Sequence, residues 1–212
     1  MSVVERIREI GIVPVVRATS SAEAFEAVEA IRAGGIPILE ITLTVPGAIQ
    51  IIAELSRKIG DAALIGAGTV LDAESARSCI DAGARFIVSP SLDLPTIDLC
   101  RRLDVPVFAG ALTPTEIVTA WKAGADAVKI FPANAVGGAT YLKSIKAPLP
   151  QIQLLPTGGV SLSNAADFIQ AGAFALGVGA DLVDLGAIRR GEAATITNKA
   201  RQYVAAVAAA RA

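Results

Sequence analysis

The chain has 212 residues, 53% hydrophobic and 18% charged, with 19 basic side chains against 20 acidic ones and no histidine. A net charge of −1 without any basic block gives no electrostatic support for nucleic acid or a membrane surface as a partner. The missing histidine removes the usual general base, metal ligand and triad partner, so acid–base chemistry near neutral pH falls to carboxylate, lysine, tyrosine or cysteine.

A mean hydropathy of +0.56 is high for a chain with no run as long as a membrane span. A sheet buried on both faces explains such richness, and the length suits one domain over residues 1–212. The opening "MSVVERIREIG" carries charges through its first turns and lacks the apolar centre of a signal peptide, so a cytoplasmic protein is expected. Cys79 and Cys100 fall in separate helix-like segments without metal-type spacing and read as buried thiols.

In chain order, apolar runs begin near Ile12, Ile36, Ala63, Arg85, Val105, Ala127, Ile152 and Ala175, giving eight predicted strands. Helical patterns separate them. Ser20 with Glu23 fits a capping box, as does Thr113 with Glu116, where Pro114 takes the first helical position. "RAGG", "DAGA", "KAGA" and "QAGA" close helices ahead of every second strand, and Gly34, Gly83, Gly124 and Gly172 are expected there at positive φ. The Ala-rich "YVAAVAAARA" reads as a closing helix. Eight βα units with no linker predict a (β/α)8 barrel, with an open doubly wound sheet as runner-up.

Barrel active sites lie at the C-terminal ends of the strands. The polar groups carried there are Arg17, Glu40 and Thr42, Thr69, Ser89, Thr113, Lys129, Thr157 with Gly158 and Gly159, then Gly177 and Gly179. Only Glu40 and Lys129 are charged groups set inside apolar strands, in "ILEITL" and "DAVKIFPAN". Burial lowers a lysine pKa, and a neutral amine attacks carbonyls to form Schiff bases. Glu40 is then the proton carrier. A structural ion pair inside the barrel accounts for the same two residues, and the pattern alone leaves both open. "PTGGVS" and "GVGADL" place glycines after strands seven and eight, where barrels often hold phosphate on backbone amides. Arg17 can add a charge-assisted contact.

"LEITLTVP", "IGAGTV", "FIVSP", "VKIFPAN", "PTGGV" and "GVGADLV", in this order from about Ile12 to Val183, resemble the 2-keto-3-deoxy-6-phosphogluconate and 4-hydroxy-2-oxoglutarate aldolases. The resemblance implies a class I aldolase on a (β/α)8 barrel, a homotrimer with no metal or other cofactor. It puts the Schiff-base lysine on Lys129 and the proton-transferring glutamate on Glu40. Thr69 would hold the pyruvyl carboxylate, and Pro90 and Phe131 fall within the matched motifs as substrate contacts. Gly158, Gly159, Gly179 and Ala180 would take the phosphate end with Arg17, and Thr157 is a further substrate-binding residue. Two positions depart: Thr44 stands where some members carry a carboxylate-binding arginine, and Ala180 where serine is common. Carboxylate recognition then falls to Thr69, backbone amides and Arg17.

The implied reaction cleaves the phosphorylated 2-keto-3-deoxy sugar acid to pyruvate and glyceraldehyde 3-phosphate. Cleavage of the 6-phosphogalactonate isomer, a phosphosugar isomerase or epimerase using Glu40, and a non-catalytic assembly subunit are the alternatives.

Overall fold

The computed structural model describes all 212 residues. Its strands are β1 (Ile12–Val16), β2 (Ile38–Thr42), β3 (Leu64–Gly68), β4 (Ile87–Val88), β5 (Val107–Ala111), β6 (Ala127–Ile130), β7 (Leu154–Pro156) and β8 (Leu176–Val178). All neighbouring pairs are parallel, in the order β7-β6-β5-β4-β3-β2-β1-β8, and a parallel bridge from Thr157 to Gly177 closes the ring. This is the eight-stranded barrel predicted above.

Helices alternate with the strands: α1 (Val3–Ile10), α2 (Ser21–Ala33), α3 (Ala48–Ile59), α4 (Ala73–Asp81), α5 (Leu94–Arg102), α6 (Pro114–Ala123), α7 (Gly138–Lys146), α8 (Ala165–Gln170), α9 (Leu185–Arg189) and α10 (Ala193–Arg211). Several strands start two residues later than their apolar runs, at Ile38, Val107 and Leu154. There the first apolar residues finish the preceding turn: the amides of Ile36, Val105 and Ile152 donate back to Ile31, Cys100 and Leu149.

The capping box of α6 is complete, with Thr113 and Glu116 satisfying each other's backbone amides. At α2 only half of it forms. Ser20 Oγ accepts from the Glu23 amide, but the Glu23 carboxylate accepts instead from Thr19 and from Arg189 of α9. Of the four Ala-Gly glycines, Gly83, Gly124 and Gly172 have positive φ. Gly34 does not: its φ is −84°, and the left-handed turn falls on Gly35. Gly34 is required by packing, because a Cβ there would lie 2.3 Å from the Ala200 methyl on α10.

The barrel interior is built by register. Val15, Glu40 and Gly66 stand side by side across β1, β2 and β3, as do Gly110, Lys129 and Leu155 across β5, β6 and β7. Laterally paired residues share a face, so both sets project inward. Toward the N-terminal end the interior is filled by the rings of Phe86, Phe108 and Phe174, with centroids 5.7 and 6.1 Å apart along the row. Gly66 is where it is because Phe86 occupies its side-chain space, 2.3 Å from an ideal Cβ. Cys79 on α4 and Cys100 on α5 are buried thiols, each pushed up by burial.

Candidate active site

Glu40 and Lys129 face each other from opposite sides of the barrel. Their side chains are 1% and 3% exposed, and Lys129 Nζ lies 3.9 Å from Glu40 Oε1, too far for a hydrogen bond. That oxygen is buried with no hydrogen-bond partner in the protein. Gly68 makes the room: a Cβ on it would sit 1.9 Å from Glu40 Oε1. The alternate glycines of "GAG" in β3 therefore serve two inward neighbours, Phe86 below and Glu40 above.

Burial pushes the Glu40 carboxyl above its ordinary value, against the opposing pull of Lys129 and Arg17. Burial likewise pushes Lys129 below 10.5; Glu40 opposes this and Arg17 adds to it. Desolvation leads in both groups and shifts each toward its uncharged form.

Above Lys129 the Phe131 ring lies 5.3 Å from Nζ and reaches the mouth of a pocket of about 360 Å3. Its wall includes Val15, Arg17, Thr157, Gly158, Gly179 and Ala180, so the glycine loops and the exposed Arg17 border one space. The main-chain amides of Gly158, Gly159, Val160, Gly179, Ala180 and Asp181 donate to no group in the protein. Such a concentration of free N–H groups suits an oxyanion.

These loops are held from outside. Ala133 and Asn134 donate their amides to Thr157 and Gly158, zipping the loops after β6 and β7 together. Asn164 Nδ2 donates to the Gly159 carbonyl, while its Oδ1 accepts from the Ser161 amide.

Thr69 is at the mouth with φ of +58°, a left-handed conformation that a β-branched residue seldom adopts. Its hydroxyl makes no hydrogen bond to the protein. Pro90 belongs to a loop folded across β5: the Gly110 amide donates to Ser91, and a Cβ on Gly110 would strike the Pro90 carbonyl carbon at 2.2 Å. Gly110 is the lateral neighbour of Lys129.

Among the rim residues expected from sequence, several prove structural. Thr113 caps α6, Ser89 Oγ accepts from the Ser91 amide, and Thr42 Oγ1 bonds to the Val16 carbonyl and Thr44 Oγ1. Gly177 is the residue whose missing side chain admits Thr157 Oγ1. Sequence reading missed Gly68, Gly110, Asn164 and Asp181. Glycine spaced by two within a predicted strand was an available signal for Gly68, since it marks one face. A larger hollow of about 760 Å3 lies at the other end of the barrel, lined by Glu5, Arg8, Phe174 and Arg211, and touches none of the expected site residues.

A parallel (β/α)8 barrel with its ionisable groups and open amides gathered at one mouth defines a barrel enzyme. Residues 3–199 match the family described as KDPG and KHG aldolase. The chain belongs to the KDPG and KHG aldolase family, and is thus an aldolase, a carbon–carbon lyase. It is 35% identical over 167 residues, 79% of this chain and 78% of the relative, to 2-dehydro-3-deoxy-phosphogluconate aldolase of Haemophilus influenzae. A KDPG aldolase structure from Legionella pneumophila, with pyruvate captured as a covalent carbinolamine, superposes with a TM-score of 0.87 at 30% identity, covering 93% of this chain and 96% of that one. A native KDPGal structure superposes at 0.85 with 35% identity, covering 94% and 95%.

Proposed function

We propose that this aldolase works through an imine on Lys129, cleaving 2-keto-3-deoxy-6-phosphogluconate to pyruvate and glyceraldehyde 3-phosphate. The observation that carries the reading is a lysine almost wholly desolvated, with a lowered pKa, 3.9 Å from a buried acid that has a free oxygen. An ammonium serving only as an electrostatic anchor gains nothing from such burial, whereas a nucleophilic amine requires it.

Neutral Lys129 attacks the C2 carbonyl, forming the N–C2 bond and moving the carbonyl π pair to oxygen. One proton passes from the attacking nitrogen to the C2 oxygen and Glu40, its pKa raised by burial, supplies the second, so the oxygen departs as water and the iminium remains. The resulting carboxylate takes the C4 hydroxyl proton. The C3–C4 bond then breaks, its electron pair moves into the iminium to give an enamine, and glyceraldehyde 3-phosphate leaves. Glu40 returns the proton to C3, and water hydrolyses the pyruvyl imine. Thr69 and nearby amides hold the pyruvyl carboxylate; Gly158, Gly159, Gly179, Ala180 and Arg17 hold the phosphate, and Thr157 lines the wall beside them. Pro90 and Phe131 wall the space over Lys129, and 4-hydroxy-2-oxoglutarate enters the same site as a smaller substrate.

A second reading, cleavage of the 6-phosphogalactonate isomer, is favoured by the likeness to the native KDPGal structure. Turnover of the two C4 epimers in parallel assays separates the two. We also infer a homotrimer in the cytoplasm. Leu71, in the loop after β3, and Leu94, the first residue of α5, are the large exposed apolar side chains besides Met1 and support self-association. Light scattering that gives a monomer mass would overturn the trimer.

Incubation with pyruvate and borohydride, followed by peptide mapping, tests the chemistry. A reduced adduct on Lys129 is expected. Its absence, or an adduct on Lys122 or Lys143 instead, sinks the mechanism.

A further inference from the structure

The β8 loop that borders the proposed phosphate end of the pocket carries a carboxylate, Asp181, at the wall itself. A free carboxylate there would repel a phosphate dianion across a few ångströms. Here both of its oxygens are engaged, and both partners come from α10. Tyr203, completely buried, donates its hydroxyl to Asp181 Oδ2 at 2.6 Å, and Lys199 Nζ stands 3.2 Å from Oδ1. No other helix reaches the Asp181 carboxylate.

The loop between β8 and α9 is held further along by Leu182 and Val183, whose side chains are buried in the core and whose amides donate to Gly179. Those contacts are apolar or turn the loop on itself, so the Asp181 side chain is its polar tie to a helix. The amides of Gly179, Ala180 and Asp181, free of protein partners, lie between β8 and that polar tie.

We propose that Tyr203 and Lys199 are positioning residues for the phosphate end of the substrate: by drawing the Asp181 side chain onto α10 they neutralise it and aim the β8-loop amides into the pocket. The inference rests on the functional reading above, in which those amides bind phosphate. Burial and the Asp181 hydrogen bond hold the Tyr203 hydroxyl well above its usual pKa, so it remains a donor at every working pH. Ala180 offers no hydroxyl to share the load, which leaves main-chain orientation as the determinant on this side.

The test uses the full chain and two measurements. One is steady-state cleavage of 2-keto-3-deoxy-6-phosphogluconate, with inorganic phosphate as inhibitor; the other is borohydride trapping of pyruvate, which carries no phosphate. Tyr203→Phe keeps the buried ring and removes only the hydroxyl. It should raise KM and the phosphate inhibition constant about tenfold, the size of one lost buried hydrogen bond. Neither kcat nor the half-saturation for pyruvate trapping should move. Lys199→Met, at a partly exposed position, should act in the same direction, and Lys199→Arg should restore the wild-type values. If Tyr203→Phe lowers the melting temperature so far that it cannot be assayed, the Lys199 pair decides. Parallel losses in both measurements, or none in either, overturn the positioning role. A wild-type enzyme that inhibitory phosphate leaves untouched overturns the functional reading instead, and the inference with it.

Discussion

Glu40 and Lys129 sit 3.9 Å apart across the barrel and do not hydrogen-bond, although each is almost completely removed from water. An ion pair selected for stability would close that gap. Replacing both members with apolar side chains of similar size should therefore stabilise the fold, as removal of other buried ionic pairs has done by about 1–4 kcal/mol. The Lys129→Met/Glu40→Leu double variant should melt higher than wild type in calorimetry and have no aldolase activity. A lower melting temperature would mean that the pair holds the barrel together.

Removing only the acid separates its role from that of the amine. Glu40→Gln should still form a borohydride-trappable adduct with pyruvate, but cleavage should fall by about 10²–10⁴-fold, the range general acid–base catalysis supplies. Wild-type cleavage in this variant would exclude Glu40 as the proton carrier.

Gly68→Ala tests the same residue through its neighbour. The new methyl would overlap Glu40 Oε1, so the carboxylate must rotate or β3 must shift. Loss of kcat comparable to Glu40→Gln is expected, with circular dichroism unchanged. A fully active variant would show that the position of Glu40 is not critical.

The directions of the two pKa shifts fix the pH behaviour. Lys129 titrates below 10.5, so adduct formation should fall on acidification through that lowered pKa, not through the ordinary lysine value. Glu40 titrates above 4.5; its folded form holds a proton more tightly than the unfolded chain. Its contribution to stability is thus present below 4.5 and is lost as pH rises through the folded pKa. The melting temperature of Glu40→Gln should lack that component, read as a flatter dependence on pH than wild type.

Thr69 makes no side-chain bond to the protein and adopts φ of +58°, a strain worth about 1–3 kcal/mol for a non-glycine residue. Thr69→Gly should retain or gain melting temperature while raising the pyruvate concentration needed for half-maximal trapping. A drop in stability with unchanged pyruvate affinity would make the residue structural.

What the sequence disclosed, and what it withheld, follows from the range of the forces involved. Strand count and parallel order were legible because each apolar run and each helix cap is a local signal, as at Thr113, Pro114 and Glu116. Glu40 and Lys129 were legible because a charge inside an apolar strand is conspicuous whatever surrounds it. Gly34 was misjudged because its reason is a methyl on Ala200, far along the chain. Glu23 was half misjudged for the same cause: its carboxylate turns to Arg189, which no local pattern announces. Asp181 escaped notice because a carboxylate beside the open amides of the β8 loop makes sense only with Tyr203 and Lys199 in view.

The row of rings formed by Phe86, Phe108 and Phe174 has a kinetic corollary. They stopper the barrel at one end, so the reaction vessel is blind and has a single doorway. With Lys129 deep and the glycine loops at the threshold, the two products cannot leave by separate routes. Under the proposed imine mechanism, the phosphorylated aldehyde, nearer the door, should go out first, and the three-carbon fragment tethered to the lysine should follow. In the synthetic direction the same mechanism predicts the reverse queue, with pyruvate entering before its partner.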